Sequence, residues 1–153
     1  MQPSLSSHDL PIQQLFDQAV AVWRKGGFVE LAPSCNGVPE ARALCEALAR
    51  RSPEGEPLLS AGLADRSPHV VAYCLLALEM ASSPRLLQVS ETLRSDKRRI
   101  PVIFGCFADK LEVGELVHQL QEKRRKGESG AAQNGGPGEP SANQGAGELP
   151  PSG

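Results

Sequence analysis

A segment near the middle of the chain is repeated, in residue type, thirty positions further on. Residues 63–74 and residues 93–104 both contain an apolar position, a short polar turn and then a second apolar run, with Leu63 matching Leu93 and Val70 matching Ile100. Repetition at such a period is typical of stacked helix pairs, in which each pair buries its apolar face against the next. The repeat therefore predicts an all-α fold, either a short right-handed α-solenoid or a compact bundle of six to seven antiparallel helices.

Composition divides the chain into three parts. Residues 1–9 are polar and are predicted to be a flexible N-terminus, and residues 10–126 are predicted to form the helical domain. Residues 127–153 are mostly Gly, Pro, Ala, Ser and Gln, without Lys or Arg and with Leu149 as the one large aliphatic residue. Too little apolar surface is available there to offset the entropy lost on ordering, so a disordered tail is predicted.

Local signals place the helices within the domain. Ser67-Pro68 and Ser83-Pro84 each combine a capping hydroxyl with a proline suited to a first helical turn. The segment 70–81 is apolar nearly all round and is predicted to be the most buried helix. The apolar run 100–107 is compatible with a strand, but its alignment with 70–78 favours a helix. Residues 28–31 are predicted to be an extended link, too isolated for a sheet.

The pattern L-x-D-x-S-P-x-V-x-x-x-x-L-x-A-L over residues 63–78 resembles the HEAT-like (armadillo-type) helical repeat family. The resemblance covers about residues 39–126 and implies HEAT-like helix pairs that bind other macromolecules on a concave face, without chemistry of their own. It implies inner helices at 56–64, 84–94 and 111–126. Their non-core side chains are the predicted partner-binding residues, although an ordinary solvated helix surface would carry the same residue types. These residues are Arg85, Gln88, Glu91, Glu112, Glu115, Gln119 and Glu122.

No motif for phosphate binding, zinc proteolysis or nucleophilic catalysis occurs in the chain. The sequence therefore predicts a protein that is not an enzyme and that holds no metal or cofactor. Cysteines stand at positions 35, 45, 74 and 106 and form no C-x-x-C pair. They are accordingly predicted to be reduced and structural.

The formal net charge of -2 does not favour a nucleic-acid partner. Two basic clusters, Lys97-Arg98-Arg99 and residues 123–126, nevertheless keep such a partner open as an alternative. The first residues do not resemble a signal peptide, and no apolar run approaches the roughly 20 residues that span a bilayer. A cytoplasmic protein without membrane contact is predicted.

The expected function is a non-enzymatic protein–protein interaction, as a scaffold or adaptor module with a protein or peptide partner. Two alternatives remain open. One is an accessory subunit or lyase-like helical protein that holds a cofactor, and the other is a nucleic-acid-associated module that uses the two basic clusters.

Overall fold

A computed structural model of the chain describes residues 10–32 and 39–135. The predicted flexible N-terminus, 1–9, and residues 136–153 of the predicted tail lie outside the described residues. The chain divides into two compact units, Met1–Gln121 and Glu122–Gly153, and of the second unit the structure describes residues 122–135, which are helical. The predicted boundary between 126 and 127 falls inside this helix, which ends at Gly135.

Within the described residues, helices alternate with the strands of a small sheet, and four of the α-helices lie between β1 and β2 in the chain. The helices are α1 (Ile12–Trp23), α2 (Pro39–Arg50), α3 (Glu56–Gly62), α4 (Pro68–Met80), α5 (Glu91–Arg94) and α6 (Val113–Gly135), with a 3₁₀ helix at Pro84–Gln88 between α4 and α5. The strands are β1 (Val29–Ala32), β2 (Arg99–Phe104) and β3 (Phe107–Glu112). Their order is β1-β2-β3, with β1 parallel and β3 antiparallel to β2.

The predicted all-α class is therefore wrong, because the fold is mixed. The second copy of the repeat forms β2 where the first copy forms α4. Pro101 stands inside this segment, and a proline in a helix interior costs about 3 kcal/mol. Ile100, Val102 and Ile103 are buried while Arg99 is exposed, and Ile100 and Val102 lie on the same, core-facing side of the strand. No solenoid of HEAT-like pairs can form over this stretch.

Two further predictions about the strands are also wrong. Residues 28–31, predicted to be an isolated link, contribute to β1, which pairs with β2 from Val29 opposite Val102. Residues 107–112 form β3 after the two-residue turn Gly105-Cys106, so α6 begins at Val113 and not at 111. Gly105 has a φ of 57°, and a glycine with positive φ at the first central position suits a type II′ hairpin turn.

The predicted inner helix 84–94 is also interrupted. It divides into the 3₁₀ helix and α5, because Val89 is extended, with φ -65° and ψ 153°. Ser90 then starts α5 by accepting a hydrogen bond from the backbone N–H of Leu93 at 3.2 Å. Serine at this position satisfies a backbone donor that a helix start leaves without a partner.

Helix α4 is the centre of the core, as the sequence predicts. The Ser67 hydroxyl accepts from the N–H of Val70 at 3.4 Å, and Pro68 opens the helix. Every residue from 70 to 78 is buried, and α4 packs against α1, α2, α3 and the sheet. The Tyr73 ring stacks on Trp23 with centroids 5.3 Å apart. Burial all round explains why this helix is apolar on every side.

The cysteines follow the prediction only in part. Cys45 and Cys74 are free and buried, and burial raises the pKa of both thiols, so these two are structural thiols. Cys106 is exposed in the hairpin turn and does not lie in a buried helix. Cys35 lies outside the described residues.

Candidate binding groove

A groove of about 570 Å³ lies in the first unit, between the end of α3 and the segment that carries the 3₁₀ helix and α5. Its apolar lining consists of Leu63, Ala64, Val89 and Leu93, of which Ala64 is exposed and the last two are each 7% exposed. Polar side chains from the end of α3, the 3₁₀ helix, α5 and the turn after α5 complete the walls. The groove is lined by Ser60, Leu63, Ala64, Asp65, Arg85, Gln88, Val89, Ser90, Thr92, Leu93, Asp96 and Arg98.

Two similar polar turns shape one wall. The Asp65 carboxylate accepts from the N–H of Ser67 at 2.9 Å, and the Asp96 carboxylate accepts from the N–H of Arg98 at 2.9 Å. An aspartate that bonds the backbone two residues on stabilises such a turn in place of regular structure. These turns are the polar parts of the sequence repeat. The repeat therefore survives as a pair of turns beside the groove and not as a pair of helix hairpins.

Three ion pairs surround the groove, and in each of them the arginine is more exposed to solvent than the acid. Arg24 lies 2.5 Å from Asp65, Arg98 lies 2.6 Å from Asp96, and Arg85 lies 3.6 Å from Glu56. The arginine side chains keep 57%, 41% and 42% of their surface exposed, whereas the acids keep 15%, 13% and 13%. Arginine heads are thus presented to solvent, and the carboxylates lie beneath them.

Both groove aspartates are held in the ionised form. Burial raises the pKa of Asp65, but the N–H of Ser67 and the guanidinium of Arg24 more than offset this and leave the pKa lowered. Hydrogen bonds from the Arg98 side chain lower the pKa of Asp96 in spite of its burial. The same bonds raise the pKa of Arg98. Carboxylates with lowered pKa are weak proton acceptors at neutral pH.

The two groove arginines are fixed by their neighbours. Nη2 and Nε of Arg98 donate to the Asp96 carboxylate, and its Nη1 donates to the backbone carbonyl of Arg66 at 2.8 Å. Nη1 of Arg85 donates to the hydroxyl of Ser60 at 3.0 Å. Its ion-pair partner Glu56 also accepts a hydrogen bond from the hydroxyl of Ser83 at 2.9 Å, so the carboxylate is itself anchored.

The seven predicted partner-binding residues do not form one surface but lie on several elements of the structure. Arg85 and Gln88 line the groove, and Glu91 lies in the first turn of α5, paired with Arg94 at 2.8 Å. Glu112 ends β3 and donates its N–H to the Glu115 carboxylate at 2.8 Å. Three of the seven are exposed on α6. Glu115 and Gln119 belong to the first unit, and Glu122 belongs to the second.

Glu115 also lines a second depression, of about 600 Å³, on the sheet. Its lining mixes the half-exposed ring of Phe28 with Arg99, Lys110 and Asp109. The basic cluster at 97–99 is thereby divided, since Arg98 turns to the groove and Arg99 to this depression. The other basic cluster, 123–126, belongs to the second unit.

The open edge of β3 is protected by carboxylates. The N–H of Lys110 donates to the Asp109 carboxylate at 2.7 Å, and the N–H of Glu112 donates to Glu115. Charged side chains on an edge strand prevent another strand from pairing with it. This edge is therefore a poor acceptor for an added strand.

Sequence reasoning did not assign a role to three of the side chains that shape the groove region. Ser60 and Asp96 line the groove itself, and Arg24 lines a neighbouring depression that shares Ala64 and Asp65 with it. Arg98 also lines the groove, and the sequence singled it out only within a basic cluster for a nucleic-acid partner. The aspartates at the start of the two polar turns gave a usable local signal. No local signal exists for Arg24, which meets Asp65 across 41 positions of sequence.

Comparison with protein-family models, with curated proteins and with solved structures found no match to this chain. Among the described residues, no group of three or more His, Cys, Asp or Glu side chains is placed to hold a metal ion. None of the helices in the described part of the chain is long and apolar enough to cross a membrane.

Proposed function

We propose that this protein is a non-enzymatic adaptor module that binds a polypeptide segment of a partner protein in the groove. The observation that carries the proposal is the groove itself, in which an aliphatic surface is bordered by polar side chains. An apolar centre within a polar rim is the usual anatomy of a protein interface. Its volume of about 570 Å³ lies within the range of ligand pockets, roughly 300–1,000 Å³.

The walls of the groove support this proposal because they are held in place before any partner binds. Arg98 and Arg85 are fixed by hydrogen bonds to neighbouring side chains and backbone, so little further side-chain ordering accompanies binding. Gln88 and Thr92 are exposed at the groove, where their polar groups can meet the backbone of an extended segment.

The groove chemistry favours binding over catalysis. Asp65 and Asp96 are the carboxylates of its lining, and each has an arginine partner and a lowered pKa. A general base needs a pKa near the working pH, which these groups do not have. The cofactor-holding subunit and the nucleic-acid module remain alternatives, and no particular site among the described residues favours either over a peptide.

A matched pair of variants tests the proposal. Ala64 is exposed and lines the groove, so Ala64→Trp should fill it, whereas Ala61 is exposed on α3 outside the lining. Peptides are selected from a random display library on the parent domain, and their dissociation constants are measured by fluorescence anisotropy. We expect Ala64→Trp to weaken binding at least tenfold and Ala61→Trp to leave it within about twofold.

Both variants must first give the parent circular-dichroism spectrum and a cooperative melt. If the selected peptides bind Ala64→Trp as tightly as the parent domain, the groove is not the binding site and the proposal is refuted.

A further inference from the structure

The charge that the groove presents to a ligand differs from the sum of its formal charges. Its lining has two arginines and two aspartates and is formally neutral. The aspartate side chains are 13–15% exposed, whereas those of Arg85 and Arg98 are 41–42% exposed. Coulomb interaction falls with distance, so a ligand entering from solvent interacts first and most strongly with the guanidinium groups.

Of the two arginines in the groove lining, Arg85 has the greater remaining capacity to bind an anion. Its Nη1 donates to the hydroxyl of Ser60. Its Nε lies 3.6 Å from the Glu56 carboxylate, which makes an ion pair but not a short hydrogen bond. Arg98 uses Nε, Nη1 and Nη2 on Asp96 and a backbone carbonyl, and still has one N–H on each terminal nitrogen. A planar guanidinium with two free parallel donors matches a carboxylate.

Arg24 extends this positive surface. It lines the neighbouring depression, of about 600 Å³, which shares Ala64 and Asp65 with the groove. Its side chain is 57% exposed, and its partner Asp65 is the mostly covered carboxylate between the two depressions. The exposed arginines therefore belong to one surface, from the 3₁₀ helix to the end of α1.

We propose that the segment bound in the groove is acidic, with aliphatic side chains against Leu63, Val89 and Leu93 and with Asp or Glu carboxylates on Arg85 and its neighbouring arginines. This inference rests on the proposed function and names the chemistry of the partner. Nucleic acid fits less well, because the lining contains no aromatic side chain on which a base could stack.

The test uses the full chain and defined peptides. A fluorescein-labelled peptide from the selection is compared with the same peptide carrying Gln for every Glu and Asn for every Asp. The proteins are the parent, Arg85→Gln, Arg85→Lys, and Arg50→Gln as a charge-matched control. Arg50 is exposed at the end of α2 and is outside the groove lining.

We expect the acidic peptide to bind the parent at least tenfold more tightly than its amide counterpart, with affinity that falls as salt rises. Arg85→Gln should weaken the acidic peptide about fivefold, the upper end for one exposed ion pair, and should weaken the amide peptide by less. Arg85→Lys should recover part of that loss, and Arg50→Gln should have no effect.

The outcomes separate this inference from the proposed function. Peptides that lose binding in Ala64→Trp but are neutral or basic, and do not respond to Arg85→Gln, would overturn the acidic partner and leave the groove function intact. Peptides insensitive to Ala64→Trp would overturn both. If an oligothymidylate binds more tightly than the acidic peptides, and Ala64→Trp and Arg85→Gln both weaken its binding, the partner is a nucleic acid and not a peptide.

Discussion

Replacing Gly114 with alanine tests whether one tight backbone contact holds the groove wall in place. Gly114 lies at the start of α6, and its N–H donates to the carbonyl of Asp96 at 2.8 Å. An added Cβ would lie 3.0 Å from the carbonyl carbon of Arg94 and 3.1 Å from the carbonyl oxygen of Asp96, and closer still to the carbonyl oxygen of Arg94. Carbon atoms in good contact are about 3.5–4.0 Å apart.

The contacted atoms are backbone atoms, so they cannot avoid the methyl group by a side-chain rotation. Overpacking of this kind costs about 1–3 kcal/mol. The helix preference of alanine over glycine returns at most about 1 kcal/mol, so a net loss of stability is expected. For a domain of roughly 100 residues, each kcal/mol lowers the Tm by about 4–8 °C. The displaced turn carries Asp96 and Arg98, so peptide binding should weaken as well.

Urea unfolding followed by the fluorescence of Trp23 measures the effect. This residue is the one Trp of the chain and is fully buried against Tyr73, so its emission reports on the core. Gly127→Ala is the control in the same helix, because a Cβ there would meet nothing within 4 Å. It should be neutral or slightly stabilising. A Gly114→Ala protein as stable as Gly127→Ala would refute the tight contact.

Three further predictions concern the burial of Val70, the exposed edge of β3 and the dependence of stability on pH. Val70→Asp should abolish the cooperative melt, because it places an unpaired charge at a position with no exposed surface; a parent-like thermal transition would contradict its burial. Asp109→Ala should increase self-association in sedimentation velocity, because it frees the N–H of Lys110 on the β3 edge; an unchanged monomer fraction would argue against edge protection. The pKa values of Asp65 and Asp96 are lowered on folding, so their stabilisation is complete above the unfolded pKa near 4 and is lost as pH falls through the lower folded values. The Tm should therefore drop more steeply below pH 4 in the parent than in a protein carrying both Asp→Asn changes, and equal slopes would contradict this.

The sequence predicted the elements whose signals are local. Ser67-Pro68 marks the start of α4 by its capping chemistry, and the apolar composition of 70–78 requires burial on all sides. Likewise, Val113, Leu116 and Val117 form the buried stripe of α6. Such features depend on residues within one or two turns of each other, so a single sequence is sufficient to find them.

The sheet shows where that reasoning fails. An apolar run as short as 100–107 fits a strand or a buried helix, and the repeat favoured the helix. Its true state depends on β1, about 70 positions earlier, and on the hairpin partner β3. Strand pairing is a contact between distant segments, and nothing in the local composition of 28–31 shows that a partner exists.

The candidate groove shows the same contrast between local signals and contacts of distant segments. The sequence alone determined the buried centre at α4 and the two polar turns of the repeat, and it gave Arg85 and Gln88 as candidate partner-binding residues. Only the tertiary structure decided that those turns border one groove and that the carboxylates lie inward beneath exposed arginines. The physical reason is that charge and apolar pattern act locally along the chain, whereas the exposure of a charge depends on which distant segments cover it.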